Sequence, residues 1–202
     1  MTPGRRTRAA EPVGDLVFAP LVAARWRDLE RLFGPRGACG GCWCMWWRLT
    51  AKEFENRKGA SNKRAMKGLV RRGDVPGILA YAGEEAVGWC AAAPRAAYPR
   101  LSRSRILRPV DDVAVWSVVC FFIGKPWRRK GLTVALLRAA VDFVKSRGGT
   151  VVEGYPVEPA KGKVPDAFAY PGVARAFEAA GFEEVARRSP TRPIMRYVIS
   201  SA

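Results

Sequence analysis

No histidine occurs anywhere in this sequence. That removes every His-based triad, together with the commonest general base and the commonest metal ligand. Proton transfer must fall to a carboxylate, Tyr, Cys, Lys, a terminal amine or water. Acidic residues are scarce as well: 18 Asp and Glu stand against 35 Lys and Arg, a net charge of +17. Self-repulsion of that size opposes compaction and asks for an anionic partner. Nucleic acid, a polyanionic cofactor and an acidic acceptor all qualify. The charge is spread along the chain, so composition does not choose among them. Long apolar runs are also missing. None approaches the ~20 residues that span a bilayer, and Arg5-Arg6 is not followed by an apolar signal core. The expected location is cytoplasmic. There is no internal repeat and no low-complexity tract.

What is present suits one globular domain. Of the 202 residues, 49% are hydrophobic and 26% charged, enough for a real core. Residues 1–14 are basic, hold Pro and Gly and show no periodicity, so they read as a flexible arm. Residues 15–202 form the domain. Asp15 to Leu21 suits a first strand. Val22, Trp26, Leu29 and Phe33 share one helical face before Gly34-Pro35. Cys39 to Arg48, CGGCWCMWWR, crowds three Cys and three Trp. A zinc site on Cys39, Cys42 and Cys44 lacks a nearby fourth ligand, and a Cys39–Cys42 redox pair lacks the usual strand-to-helix setting. No metal is expected; apolar packing of Cys and Trp in a core is one reading of the segment, and a pocket wall is the other. Thr50 to Ala60 carries no clear pattern. Ser61 reads as the cap of a helix to Arg72. Gly77 to Ala82 and Ala86 to Ala92 read as a hairpin around Gly83-Glu84-Glu85.

The stretch that organises the rest runs from Val113 to Arg147. Ala114 to Ile123 is apolar at strand length. Gly124 to Gly131, GKPWRRKG, is a basic turn. From Leu132, apolar residues recur at helical spacing (Val134, Leu137, Val141, Val144), opposite Arg138, Asp142 and Lys145, until Gly148-Gly149 stops the helix. Strand, cationic turn and helix then lead to a strand at Thr150 to Val157, which implies a parallel, right-handed crossover. A loop follows to Asp166. Pro171-Gly172 opens a late helix carrying Val173, Phe177 and Ala180 on one face, and two strands close the chain. The first N–H groups of a helix lack helical partners and carry the positive end of the macrodipole. A pyrophosphate suits that position, and Gly131 lets it approach closely.

Arg128-Arg129-Lys130-Gly131-Leu132-Thr133 resembles the R/Q-x-x-G-x-G/A signature of the GCN5-related N-acetyltransferase (GNAT) superfamily. ARAFEAAGF, Ala174 to Phe182, resembles its late helix, which commonly ends in Gly-Phe. Thr133 departs from the usual Gly or Ala. The resemblance implies an α/β fold. Its sheet is mixed, mostly antiparallel, with six to seven strands and a central parallel pair, flanked by helices on both faces. It also implies transfer of acetyl from acetyl-CoA, a co-substrate, to an amine by direct attack on the thioester. Phe121, Phe122 and Ile123 would offer backbone groups to the pantetheine. Arg128, Arg129, Lys130, Gly131, Leu132 and Thr133 would hold the pyrophosphate. Trp43, Trp46 and Trp47 would wall the acceptor pocket. The family often places a Tyr acid where this chain has Phe177, so Tyr155 and Tyr170 are the substitutes. Glu153 in the second parallel strand is the favoured base, with Asp111 and Asp112 as rivals. The expected partners are a coenzyme A thioester and an amine, a small molecule ahead of a protein. No membrane partner is expected, and a homodimer stays open. Two other functions remain: an acyl-CoA sensor without turnover, suggested by Phe177, and a basic nucleic-acid binder, suggested by +17 but lacking any recognised module.

Overall fold

The computed structural model describes residues 15–159 and 169–200. The basic arm over 1–14 and most of the loop to Asp166 lie outside them. The strands are β1 (Leu16–Pro20), β2 (Gly77–Ala82), β3 (Glu85–Pro94), β4 (Trp116–Ile123), β5 (Val151–Gly154), β6 (Glu183–Arg187) and β7 (Pro193–Val198). They join in one sheet of order β1-β2-β3-β4-β5-β7-β6. The β4–β5 pair is parallel, and the other ladders of this sheet are antiparallel. This is the mixed sheet with an inner parallel pair that the resemblance implies.

The helices are α1 (Trp26–Phe33), α2 (Ala51–Arg57), α3 (Ala60–Arg71), α4 (Pro99–Ser102), α5 (Leu132–Ser146) and α6 (Ala174–Ala179). The first four contribute Leu29, Phe54, Met66 and Leu101 to the core on one face of the sheet. α5 and α6 fill the other face with Leu132, Leu136, Leu137, Val144 and Phe177. The buried stripe of α5 centres on Leu136 and Leu137, while Val134 is only half-buried. Each fully buried Leu or Val there contributes about 1.5–3 kcal/mol.

Two local signals are instructive. α2 begins with a capping box, in which Glu53 N–H donates to Thr50 Oγ1 and Thr50 N–H donates to Glu53 Oε2. That Thr-x-x-Glu pattern marks the helix in a stretch without apolar periodicity. α3 starts two residues earlier than Ser61 suggests: Gly59 is its N-cap, with no side-chain cap bond. Ser61 instead accepts from Arg64 Nη2 at 2.8 Å.

Candidate active site

The two parallel strands part company after three pairs. The register runs Trp116↔Val152, Ser117↔Glu153 and Val118↔Gly154, and there β5 ends. Pro156 follows shortly and has no N–H for a ladder. β4 continues alone on that side from Val119 to Ile123. On its other side the register with β3 slips, from Ala91↔Cys120 to Ala92↔Val118. The slip leaves Val119 as the extra residue of a β-bulge, a device that bends and re-aims a strand. The result is a wedge between β4 and the end of β5.

Phe177 closes the apex of that wedge. Its ring lies 2.0 Å from where a Cβ on Gly154 would stand and 2.8 Å from one on Gly172. Only two glycines leave room for it. The ring also meets Phe121 and Phe182 edge-on, with centroids 6.1 and 5.2 Å apart. It is fully buried, so the position where the resemblance expects a Tyr acid is core. Farther out, Phe121 N–H donates to the Tyr170 carbonyl at 2.7 Å. The Ile123 carbonyl accepts from Arg128 Nε at 3.1 Å. Two backbone groups offered to a pantetheine therefore already have intramolecular partners, which an incoming chain would exchange.

The mouth of α5 is built as the sequence suggests. Gly131 is its N-cap, left-handed at φ +84°, with no side chain capping the helix. A Cβ there would meet nothing within 4 Å. Gly131 O accepts from Val134 N–H and Ala135 N–H. The amides of Arg129 to Thr133 donate to nothing among the described residues. Arg129, Lys130 and Gly131 are exposed, Arg128 and Thr133 are half-buried, and Leu132 turns into the core. Arg129 also has positive φ, +60°. Such an arrangement presents a row of open donors at the positive end of a 15-residue helix.

Glu153 and Tyr155 sit in a buried network. Glu153 is 1% exposed. Its Oε1 accepts from Arg95 Nη1 at 2.9 Å and from Tyr155 Oη–H at 2.6 Å, and its Oε2 accepts from Arg196 Nε at 2.7 Å. The Tyr155 hydroxyl also accepts from Arg95 at 2.5 Å and meets Ser117 Oγ at 2.8 Å. Arg196 reaches on to both oxygens of Asp111 at 2.6 and 2.9 Å. That bond, more than anything else around Asp111, holds its carboxyl below the usual range. Burial, with the nearby Glu153 charge, pushes the Tyr155 phenol up. Glu153 is thus a carboxylate between two guanidiniums, and Asp111 is committed to the second of them. Tyr170 differs. Its hydroxyl has no hydrogen-bond partner among the described residues, and burial pushes its pKa up to about 12. Arg192, Arg100, Cys120 and Cys42 all lie within electrostatic reach of it.

A model described as the Acetyltransferase (GNAT) family matches residues 43–159, more than half of the chain. The chain belongs to that family. It is accordingly an acetyl-CoA-dependent acyltransferase, with acetyl-CoA as co-substrate. Solved structures agree on the fold. A GNAT-family acetyltransferase from Streptococcus agalactiae superposes with a TM-score of 0.56 at 8% identity, covering 96% of this chain and 100% of that one. Ard1 from Thermoplasma volcanium gives 0.51 at 12%, covering 92% and 99%. The PaiA N-acetyltransferase from Thermoplasma acidophilum, solved with coenzyme A, gives 0.50 at 13%, covering 91% and 99%. No curated protein matches the sequence. No helix among the described residues is long and apolar enough to cross a membrane.

Within this GNAT domain the three tryptophans separate. Trp43 and Trp47 are less than a tenth exposed and belong to the core, where Trp43 stacks on Trp26 at 6.0 Å. Trp46 is half-buried, lies edge-on to Phe54 at 4.9 Å, and carries the Arg100 guanidinium over its ring at 3.6 Å. Cys44 Sγ is 3.2 Å from Cys120 Sγ and accepts from Trp89 Nε1 at 3.1 Å. Arg95, Arg100, Arg192, Arg196 and Ser117 are the residues that sequence reasoning missed. The first two fall in irregular, basic chain with no period to mark them.

Proposed function

We propose that this GNAT domain moves an acetyl group from acetyl-CoA to an amine by direct attack of the amine on the thioester. The observation that carries the proposal is the row of amides at Arg129 to Thr133, which donate to nothing among the described residues and lie open around an N-cap glycine beside the β4–β5 wedge. Those amides and the αL glycine fit a diphosphate. Arg128, Arg129, Lys130, Gly131, Leu132 and Thr133 hold it, with the exposed side chains contributing charge that salt screens. Phe121, Phe122 and Ile123 guide the pantetheine along β4 after the Tyr170 and Arg128 bonds are exchanged. Trp46 forms the acceptor wall, while Trp43 and Trp47 lie in the core.

Tyr170 carries the proton transfers. Of the two candidate tyrosines it is the one whose hydroxyl has no hydrogen-bond partner among the described residues, and at a pKa of about 12 it is neutral across the physiological range. As the C–S bond breaks, the phenol gives its proton to the departing sulfur. The acceptor nitrogen, now bonded to the acyl carbon, returns one to the phenol oxygen, so the tyrosine is restored. Arg100 and Arg192 favour the transient phenolate. Glu153 and Tyr155 act as positioning residues: with Arg95 and Arg196 they tie β5 to β7 and to the start of β4. The acceptor is an amine, a small molecule ahead of a protein.

Calorimetric titration with coenzyme A, paired with thiol release from acetyl-CoA over an amine panel, tests the reading. Binding together with amine-dependent thiol release is the expected result. Tight binding with no release on any amine would replace catalysis with sensing.

A further inference from the structure

Arg100 and Arg192 are half-buried, yet neither belongs to any ion pair among the described residues. Each is tethered to the protein backbone. Arg100 Nε donates to Leu49 O at 3.0 Å, and its guanidinium is stacked on Trp46. Arg192 Nη2 donates to Tyr155 O at 3.1 Å. Each then leaves a fully buried nitrogen, Arg100 Nη2 and Arg192 Nε, without a partner among the described residues. Both guanidiniums lie within electrostatic reach of the same Tyr170 phenol. The other buried arginines of this face, Arg95 and Arg196, are neutralised by Glu153 and Asp111. Buried charge is ordinarily paired, and a fixed guanidinium edge is the usual receptor for a planar or tetrahedral oxyanion.

We infer that Arg100 and Arg192 form an oxyanion-binding subsite beside Tyr170, so that the acceptor is a small amine that also carries a carboxylate or a phosphate. The inference rests on the transferase reading above for the location of the acceptor. It explains what composition alone leaves open: part of the positive charge is a specificity element at the reaction centre. The tethers make the subsite rigid. Trp46 holds the plane of Arg100, and Leu49 O and Tyr155 O fix one nitrogen of each arginine, so an anion meets preorganised donors.

Product analogues test this without turnover. The protein, saturated with coenzyme A, is titrated with N-acetylglycine, N-acetylaminomethylphosphonate and N-ethylacetamide while arginine Nε–H resonances are followed. At least one of the two anionic compounds should bind about tenfold or more tightly than the neutral amide, and Arg192 Nε–H should shift. Which one does so identifies the source of the oxyanion. Arg192→Gln and Arg100→Lys should each bring the preference to near unity. The first changes net charge by a single unit, and the second keeps the charge but loses the planar fork. Equal binding of the neutral amide, or an unmoved Arg192 resonance in the unmutated protein, would overturn the subsite. With amine-dependent thiol release intact, that result removes the subsite alone. Absent thiol release with the anion preference intact removes the transfer reading alone.

Discussion

Gly131→Asp is expected to weaken coenzyme A binding by ~10²-fold or more while leaving the fold in place. The N-cap position is left-handed, and a Cβ there points into open space. The substitution therefore clashes with nothing. Its backbone cost is of order 1–2 kcal/mol, the ordinary penalty for a non-glycine residue in that region, and Asp tolerates it better than most. The loss of affinity comes from charge. A carboxylate would stand among the amides of Arg129 to Thr133, where a diphosphate is proposed to bind. Gly131→Ala separates the two effects, since it adds the strain and the methyl but no charge. Calorimetry should find the alanine variant much closer to the unmodified protein than the aspartate variant. Equal affinity of the aspartate variant and the unmodified protein would refute the assignment.

Tyr170→Phe is expected to lower kcat by ~10²-fold, within the range a placed acid or base supplies. Coenzyme A affinity should hardly change. The variant keeps the ring and the carbonyl that accepts from Phe121, and it removes only a hydroxyl that has no partner among the described residues. Because the phenol pKa is about 12 and burial sets it there, the proton is present throughout the neutral range, and this group puts no basic limb on the pH–rate profile near neutrality. Tyr155→Phe serves as the contrast. It strips a partner from Glu153, Arg95 and Ser117 at once, so its damage should appear first in thermal stability. A Tyr170→Phe enzyme within threefold of the unmodified kcat would assign the proton transfer elsewhere.

The parts legible in the sequence are those in which local chemistry decides the outcome. The strand before Gly124, the αL glycine at the mouth of α5 and the late Gly-Phe all depend on neighbours within a few residues, and all appear where the residues indicate. Long-range pairing is what single-residue reasoning could not supply. Glu153 in an apolar strand suggests an isolated buried acid. Its two guanidinium partners come from positions 58 residues before it and 43 after it. Phe177 looks like a lost catalytic Tyr until Gly154 and Gly172 reveal the space its ring fills. The Trp cluster was ambiguous for a similar reason, because a Trp in a core and a Trp in a pocket wall have the same local sequence. The capping box at Thr50 and Glu53 is a local signal that periodicity passes over, and it marks α2 directly.

The central claim is that the backbone at the start of α5 grips a diphosphate. Amide resonances of Arg129 to Thr133, followed by NMR during titration with coenzyme A and separately with pantetheine, test it most directly. Large, saturable shifts are expected at Gly131, Leu132 and Thr133 with coenzyme A and almost none with pantetheine, which lacks the diphosphate. Shifts of equal size with both compounds, or shifts confined to the exposed arginines Arg103, Arg105 and Arg108 while the α5 amides stay still, would contradict it.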